Sequence, residues 1–296
     1  MGLFDSLFGG RTAADRPSSV TFVMDGAGHR YEDGNVGLLP TTLTIGPDTR
    51  RVAVIGLNGS GKTTLLKLLD GALTASVGTV AVMAHRGDET GDDATDDNET
   101  DAAASNKAAH DGDVLNPAIK RDLKRIEDLV GRVRREEIPD SYYRAKDIRE
   151  AIDLPLKKHK VPESERQQII GDLFAHFDLT SVAREPASAL DSEKRHLLAI
   201  ASALSFSPAA IVADEPTKGL DEIGSAHVAR ALFSYDRQVV FATHDIDLIQ
   251  RPEYAIDRTL VLDDHQLVFD GSPADAAAFY TDLIRKKYEA AKASRQ

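Results

Sequence analysis

The sequence predicts an α/β fold built on a mixed, mostly parallel sheet with helices on both faces. Three observations carry that reading. Apolar, β-branched runs alternate with helical stretches along most of the chain, which is the pattern of parallel strands joined by crossover helices. One glycine-rich loop, Gly56 to Thr63, sits between such a strand and such a helix. Three of the strands stop at residues with chemistry: at Gly56, at Asp214-Glu215 and at His244. Ligands bind beyond the carboxyl ends of strands in such sheets, so the three endings predict one site.

Composition narrows the classes. The chain has 296 residues and no cysteine, which excludes disulfides and thiolate metal sites and fits a reducing compartment. No run of about 18 apolar residues occurs, so no membrane span is expected. The net charge of −12 argues against a nucleic-acid partner. That charge is concentrated: Asp88 to Asp113 holds ten acidic residues against Lys107 alone, hence −9, and the remainder carries only −3.

The elements follow in order. In Met1 to Ser19, residues Leu3, Phe4, Leu7 and Phe8 share one helical face, and the start fits a Met-Gly-x-x-x-Ser acylation pattern. The segment reads as a tail or short docked helix, or alternatively as a foot on a membrane surface. Val20 to Met24 reads as an edge strand, and Thr41 to Ile45 alternates as a second strand. Arg51-Val52-Ala53-Val54-Ile55 is a buried strand. Gly56-Leu57-Asn58-Gly59-Ser60-Gly61-Lys62-Thr63 then fits a phosphate loop without mismatch, and Thr64 to Leu69 is a strong helix former. The glycines let backbone N–H groups close around a β-phosphate at a helix N-terminus. Lys62 is expected on the β- and γ-phosphates, and the Thr63 hydroxyl on magnesium.

Gly78 to Met83 is a further strand. Residues 87–113 are polar and acidic and read as a disordered insert; a cation-binding loop is the rival, although the acids lack calcium-loop spacing. Pro117 to Arg135 has a helical apolar period, yet Leu129 to Val133 fits a strand as well. Ala145 to Leu154, Glu163 to Phe177 and Ser192 to Leu204 read as helices, punctuated by Pro139, Pro155, Pro162 and Pro186. Ala209 to Glu215 and Gln238 to Asp245 are strands, with a helix at Ser225 to Tyr235 between them. Thr259 to Asp263 and Gln266 to Asp270 form a hairpin, and the chain is helical from Pro273.

Asp214, after four apolar residues, suits a carboxylate that holds the hydration shell of magnesium. Glu215 suits a general base on an attacking water. His244 suits a group that positions that water and stabilises the leaving phosphate.

These residues, in this order, resemble the ATP-binding subunits of ABC transporters. The match rests on Tyr31, on Gly56 to Thr64, on Ile211-Val212-Ala213-Asp214-Glu215-Pro216-Thr217, on Gly219-Leu220-Asp221 and on Ala242-Thr243-His244-Asp245. It covers about residues 20–285. The resemblance implies a RecA-like P-loop NTPase with an antiparallel β edge and an inserted α-helical subdomain at about residues 137–207, followed by a tail over 286–296. It implies that Tyr31 stacks on adenine and that Asp221 lies at a dimer seam. Ala213 to Thr217, Val261-Leu262-Asp263 and Phe269 to Pro273 look most like energy-coupling-factor importers, which take up vitamins or transition-metal ions.

Two departures stand out. Where the family has Leu-Ser-Gly-Gly-Gln, this chain has Leu190-Asp191-Ser192-Glu193-Lys194. In the family that segment reaches the γ-phosphate on the opposite subunit, so Asp191 and Glu193 would bring carboxylates to a polyanion, with Ser192 as a partial substitute. The family's Q-loop glutamine is also missing, and Arg134 or Arg135 stands near its place. The expectation is an ATPase subunit at the cytoplasmic face of a membrane, with ATP and Mg²⁺ as cofactors. Its expected partners are integral membrane subunits and a second ATPase subunit, identical or, by preference, different. The alternatives are a degenerate regulatory ATP-binding subunit and an ABC ATPase outside transport.

Overall fold

The computed structural model describes residues 17–86, 112–134 and 140–293. Among these residues, ten strands form two sheets. The larger holds β3 (Arg51–Gly56), β6 (Val130–Arg134), β7 (Ala210–Asp214), β8 (Gln238–Ala242), β9 (Arg258–Asp263) and β10 (Gln266–Gly271) in the order β10-β9-β3-β8-β7-β6. All pairings are parallel except β9 with β10. β3, β8 and β7, the strands that end in chemistry, are therefore consecutive neighbours. Register aligns their ends: Val54 pairs with Ala242, and Ala242 pairs with Asp214.

The smaller sheet is antiparallel, in the order β2 (Val36–Ile45), β1 (Ser19–Arg30), β4 (Val77–His85), β5 (Gly112–Leu115). Here β1 departs from the expected edge strand. It is internal, with β2 on one side and β4 on the other, and runs on to Arg30. Val20, Phe22 and Met24 are fully buried at a spacing of two, as an internal strand on a core face requires. Its neighbour β4 lies some 50 residues away in sequence, beyond what local pattern reports. Gly112 and Asp113, counted with the acidic insert on composition, belong to β5 and pair with His85 and Ala84. The rest of the insert, the reading of Met1 to Arg16 and Arg135 lie outside the described residues.

Period-two alternation along β3 splits the core. Val52 and Val54 face the antiparallel sheet and α1 (Lys62–Leu69), whose Leu65, Leu66, Leu68 and Leu69 are buried with them. Each such leucine contributes about 1.5–3 kcal/mol of burial. Ala53 and Ile55 face the opposite cluster, where Leu197, Leu198, Ile200, Val228 and Leu232 pack. The phosphate-loop strand is thus clamped from both sides, and its end is held rigidly.

The remaining helices are α2 (Lys120–Leu129), α3 (Asp140–Arg144), α4 (Ile148–Lys158), α5 (Glu163–His176), α6 (Ser192–Leu204), α7 (Glu222–Phe233), α8 (Ile246–Gln250) and α9 (Pro273–Ala293). The ambiguity at Leu129 to Val133 resolves into both states: α2 ends at Leu129 and β6 begins at Val130. α4 differs from expectation. It starts at Ile148, capped by Asp147, whose carboxylate accepts from the Glu150 N–H at 2.9 Å, and it continues through Pro155. Fully buried Ile152 and Leu156 hold the turns on either side of the proline. Among the described residues, no helix is long and apolar enough to cross a membrane.

Candidate functional site

The loop after β3 turns on two glycines. Gly61 has φ +102, and a Cβ there would stand 2.7 Å from the Gly37 carbonyl oxygen. At Gly56 a Cβ would meet the Leu262 carbonyl oxygen at 2.3 Å. Only glycine permits the loop to pass this close to neighbouring backbone. α1 opens at Lys62, so its first N–H groups line the same concavity. The Lys62 Nζ donates to the carbonyls of Gly56 and Leu57, at 2.7 and 2.9 Å, which holds the ammonium over the loop. Burial lowers its pKa, against the pull of Glu215 and Asp214.

Strand ends bring the acids to this lysine. Thr63 Oγ1 donates to Asp214 Oδ2 at 2.7 Å, joining the loop after β3 to the end of β7. Asp214 Oδ1 is buried and has no hydrogen-bond partner among the described residues. Glu215 follows with φ +49, a left-handed conformation that costs a residue with a side chain about 1–3 kcal/mol. Its backbone N–H is fixed to the Ala242 carbonyl at 3.0 Å. The Glu215 carboxylate is nearly buried, and its Oε2 stands 2.9 Å from both His244 Nδ1 and Lys218 Nζ. Burial by itself raises the Glu215 pKa, but the adjacent Lys218 ammonium and the charges of His244 and Lys62 outweigh it, and the net direction is downward.

A cleft of about 340 Å³ runs over these groups. The loop residues Asn58, Gly59, Ser60, Gly61, Lys62, Thr63 and Thr64 line it, with Asp214, Glu215 and Tyr31. The Tyr31 hydroxyl is 2.9 Å from Thr64 Oγ1, so the ring sits at the rim beside α1. Gly56 lies below the loop, and Leu57 is partly exposed on its crest. Four lining residues were not anticipated from sequence: Lys218, His265, Val36 and Gly37. Lys218 reaches the acids because the chain reverses after Pro216, its own N–H donating to the Glu215 carbonyl at 3.2 Å. His265 arrives on the β9–β10 turn, where Asp264 and His265 both have positive φ, as a two-residue hairpin turn demands.

The remaining sequence-selected residues lie outside this cleft. Asp191 and Asp221 are helix N-caps: Asp191 accepts from the Lys194 N–H and Asp221 from the Gly224 N–H, each at 2.8 Å. Ser192 is the first residue of α6. Glu193 pairs with His227 Nδ1 at 2.5 Å, linking α6 to α7. Arg134 does not substitute for a glutamine at the site. Its guanidinium donates to Asp70 Oδ2 at 2.7 Å, next to Arg132, at the far end of α1. Burial drives that arginine inward, because Asp70 is almost wholly enclosed and requires cationic partners.

The ABC transporter family model matches residues 40–218, well over half of the chain. The biotin transport ATP-binding protein BioM of Rhizobium etli is 28% identical over 248 residues, covering 84% of this chain and 92% of that protein. The energy-coupling factor transporter ATP-binding protein EcfA1 of Ligilactobacillus salivarius is 28% identical over 255 residues, covering 84% and 77%. Among solved structures, cbiO1 from Clostridium perfringens, described as part of the ABC transporter complex cbiONQ, superposes with a TM-score of 0.67 at 21% identity, covering 92% of this chain and 94% of that one. A dimeric ATP-binding cassette in a post-hydrolysis state with ADP and Pi gives 0.63 at 21% identity, covering 85% and 98%. Both structures share its fold. The chain belongs to the ABC transporter family, as an ATP-binding and ATP-hydrolysing subunit.

Proposed function

We propose that the cleft binds Mg-ATP through Gly56 to Thr64 and hydrolyses it with Glu215 as the base. One observation supports this above all: Thr63, Asp214, Glu215 and His244 meet at the ends of three adjacent parallel strands. The donor set suits magnesium. Asp214 Oδ1 is a buried, unpartnered, hard oxygen beside the Thr63 hydroxyl. No group of three or more His, Cys, Asp or Glu side chains among the described residues could hold a metal. Magnesium fits that sparse set, since it takes one or two protein oxygens and completes its shell with water and phosphate. When bound, it neutralises phosphate charge.

The chain's own residues do the rest. Lys62 faces the β- and γ-phosphates. Glu215 takes a proton from the attacking water at its carboxylate, and His244, beside Oε2, orients that carboxylate and the water. Tyr31 offers its ring to the adenine at the rim. The proposed domain limits are an ATPase domain over about 20–285 with a helical subdomain near 137–207, as the resemblance implies. The subunit works at the cytoplasmic face, attached to integral membrane subunits. Relatives named for biotin transport and energy coupling favour import of a vitamin or a metal ion. Its altered Asp191-Ser192-Glu193 favours a non-identical ATPase partner with an intact signature.

Titration of Lys62→Ala with ATP at fixed magnesium tests the site. The expected loss is about 2–4 kcal/mol, as for removal of a buried charge-assisted contact. An unchanged dissociation constant would remove the assignment.

A further inference from the structure

The phosphate end of the cleft holds a cation that the motifs do not explain. Lys218 lies three residues after Glu215, and its side chain is about a quarter exposed. It lines the nucleotide cleft together with Lys62, Thr63, Asp214 and Glu215. It also lines an adjoining cavity of about 290 Å³, formed with Gly219, Leu220, Ser225, Thr243, His244 and Asp245. Its ammonium therefore sits at the boundary between the phosphate loop and the face carrying Asp221. In this structure it is 2.9 Å from Glu215 Oε2.

That contact suits only one stage of a reaction. A carboxylate paired with an ammonium is a weaker base, because the cation stabilises its charged form. The terminal phosphate of ATP brings a larger negative charge to the same cleft. Two lysines, Lys62 and Lys218, then face two carboxylates, Asp214 and Glu215, and the polyphosphate. Lysine suits an exchange of partners: its ammonium is a point charge with rotatable donors on a flexible stem. The need for such a cation is greater here than in a site completed by serine and glycine donors. Asp191 is committed to capping α6, and Glu193 to His227.

Resting on the Mg-ATP reading of the cleft, we propose that Lys218 is a γ-phosphate-sensing residue that exchanges Glu215 for a terminal phosphate oxygen when ATP, but not ADP, is bound. The exchange supplies positive charge from within the same chain where the family draws donors from the opposite subunit. It also frees the Glu215 carboxylate to face water. No bond is made or broken in it; one ion pair replaces another. Lys218 is thus specificity-determining for the nucleoside triphosphate.

The experiment separates phosphate contact from simple screening of Glu215. Glu215→Gln is taken as the parent, since it removes the charge that Lys218 would otherwise only neutralise. Calorimetric titration with Mg-ATP and with Mg-ADP compares it with Glu215→Gln/Lys218→Met and Glu215→Gln/Lys218→Arg, a partial double-mutant cycle. The methionine variant should lose about tenfold in ATP affinity, the effect of about 1.4 kcal/mol. ADP affinity should stay within about twofold, and arginine should recover most of the ATP loss. Equal loss for both nucleotides would assign Lys218 to loop structure and overturn the proposal. So would unchanged ATP affinity, which leaves Lys218 as a screen for Glu215. Failure of the chain with wild-type Glu215 and Lys218 to bind either nucleotide would instead overturn the cleft assignment, and this proposal with it.

Discussion

Glu215 concentrates the chemistry in one residue. Its backbone is held at φ +49, its N–H is tied to the β8 end, and its carboxylate faces His244 and Lys218. A side chain is kept in that strained geometry only when its surroundings over-determine it. Replacing it by glutamine preserves shape and removes the carboxylate proposed as the proton acceptor. In the assembled transporter, Glu215→Gln should bind Mg-ATP normally and lose about 10²–10⁴-fold in turnover, the range for a general base. Hydrolysis measured near the parent rate would show that another group takes the proton. The phosphate-loop residues, Asp214, Glu215 and His244 were all legible in the sequence, because contiguous motifs encode them. Lys218 and His265 were not. Each reaches the cleft through a turn with positive φ, at Glu215 and Gly219 or at Asp264 and His265, and turn geometry at that level is not written in periodicity.

Between elements, Asp70 does unadvertised structural work. It follows the last turn of α1, accepts from the Ala72 N–H at 2.8 Å, and meets Arg132 and Arg134 of β6. It fastens the phosphate-loop helix to the outermost strand. Burial raises its carboxyl pKa above 3.8, although both arginines pull it down. For an acid with a raised native pKa, the folded state binds more protons than the unfolded state between the two values. Stability from this group therefore grows as pH falls through the raised native value, and the growth ends near the ordinary 3.8. Asp70→Asn does not titrate. The stability of the parent relative to Asp70→Asn, from urea unfolding, should be flat above that window and rise as pH falls within it. A difference independent of pH would show that Asp70 is not perturbed. Asp70→Ala, which abandons both arginines and the Ala72 N–H, should cost about 3–5 kcal/mol at neutral pH. Most elements were legible from apolar period and punctuation; α6 matches its expected limits to the residue. The misses share one cause. The position of β1 inside its sheet, β5 at the edge of the acidic insert, and α4 continuing through Pro155 all depend on contacts distant in sequence. Propensity reports only neighbours.

The whole molecule combines a converged set of motif residues, lacking the Q-loop glutamine, with an altered signature. Lys62, Thr63, Asp214, Glu215 and His244 converge; at the signature position stand Asp191, Ser192 and Glu193. In a head-to-tail pair of identical chains, each γ-phosphate would face those carboxylates. A like-charge contact at about 4 Å costs about 4 kcal/mol at an effective dielectric of about 20, before salt screening. Capping by Asp191 fixes one of these carboxylates at the start of α6, so it is not free to withdraw. On the proposed reading, a different ATPase subunit therefore completes one good composite site. The altered signature was plain in the sequence; that Asp191 caps α6 and Glu193 binds His227 was not, since both depend on side-chain geometry. Serine is itself a good N-cap, so Asp191→Ser, Ser192→Gly, Glu193→Gly is expected to fold. Sedimentation with Mg-ATP, in a Glu215→Gln background that retains the nucleotide, compares the native and restored signatures. The chain with its own signature should sediment as a monomer, and the restored chain as a dimer. A tight homodimer of the chain with its own Asp191-Ser192-Glu193 would contradict the account.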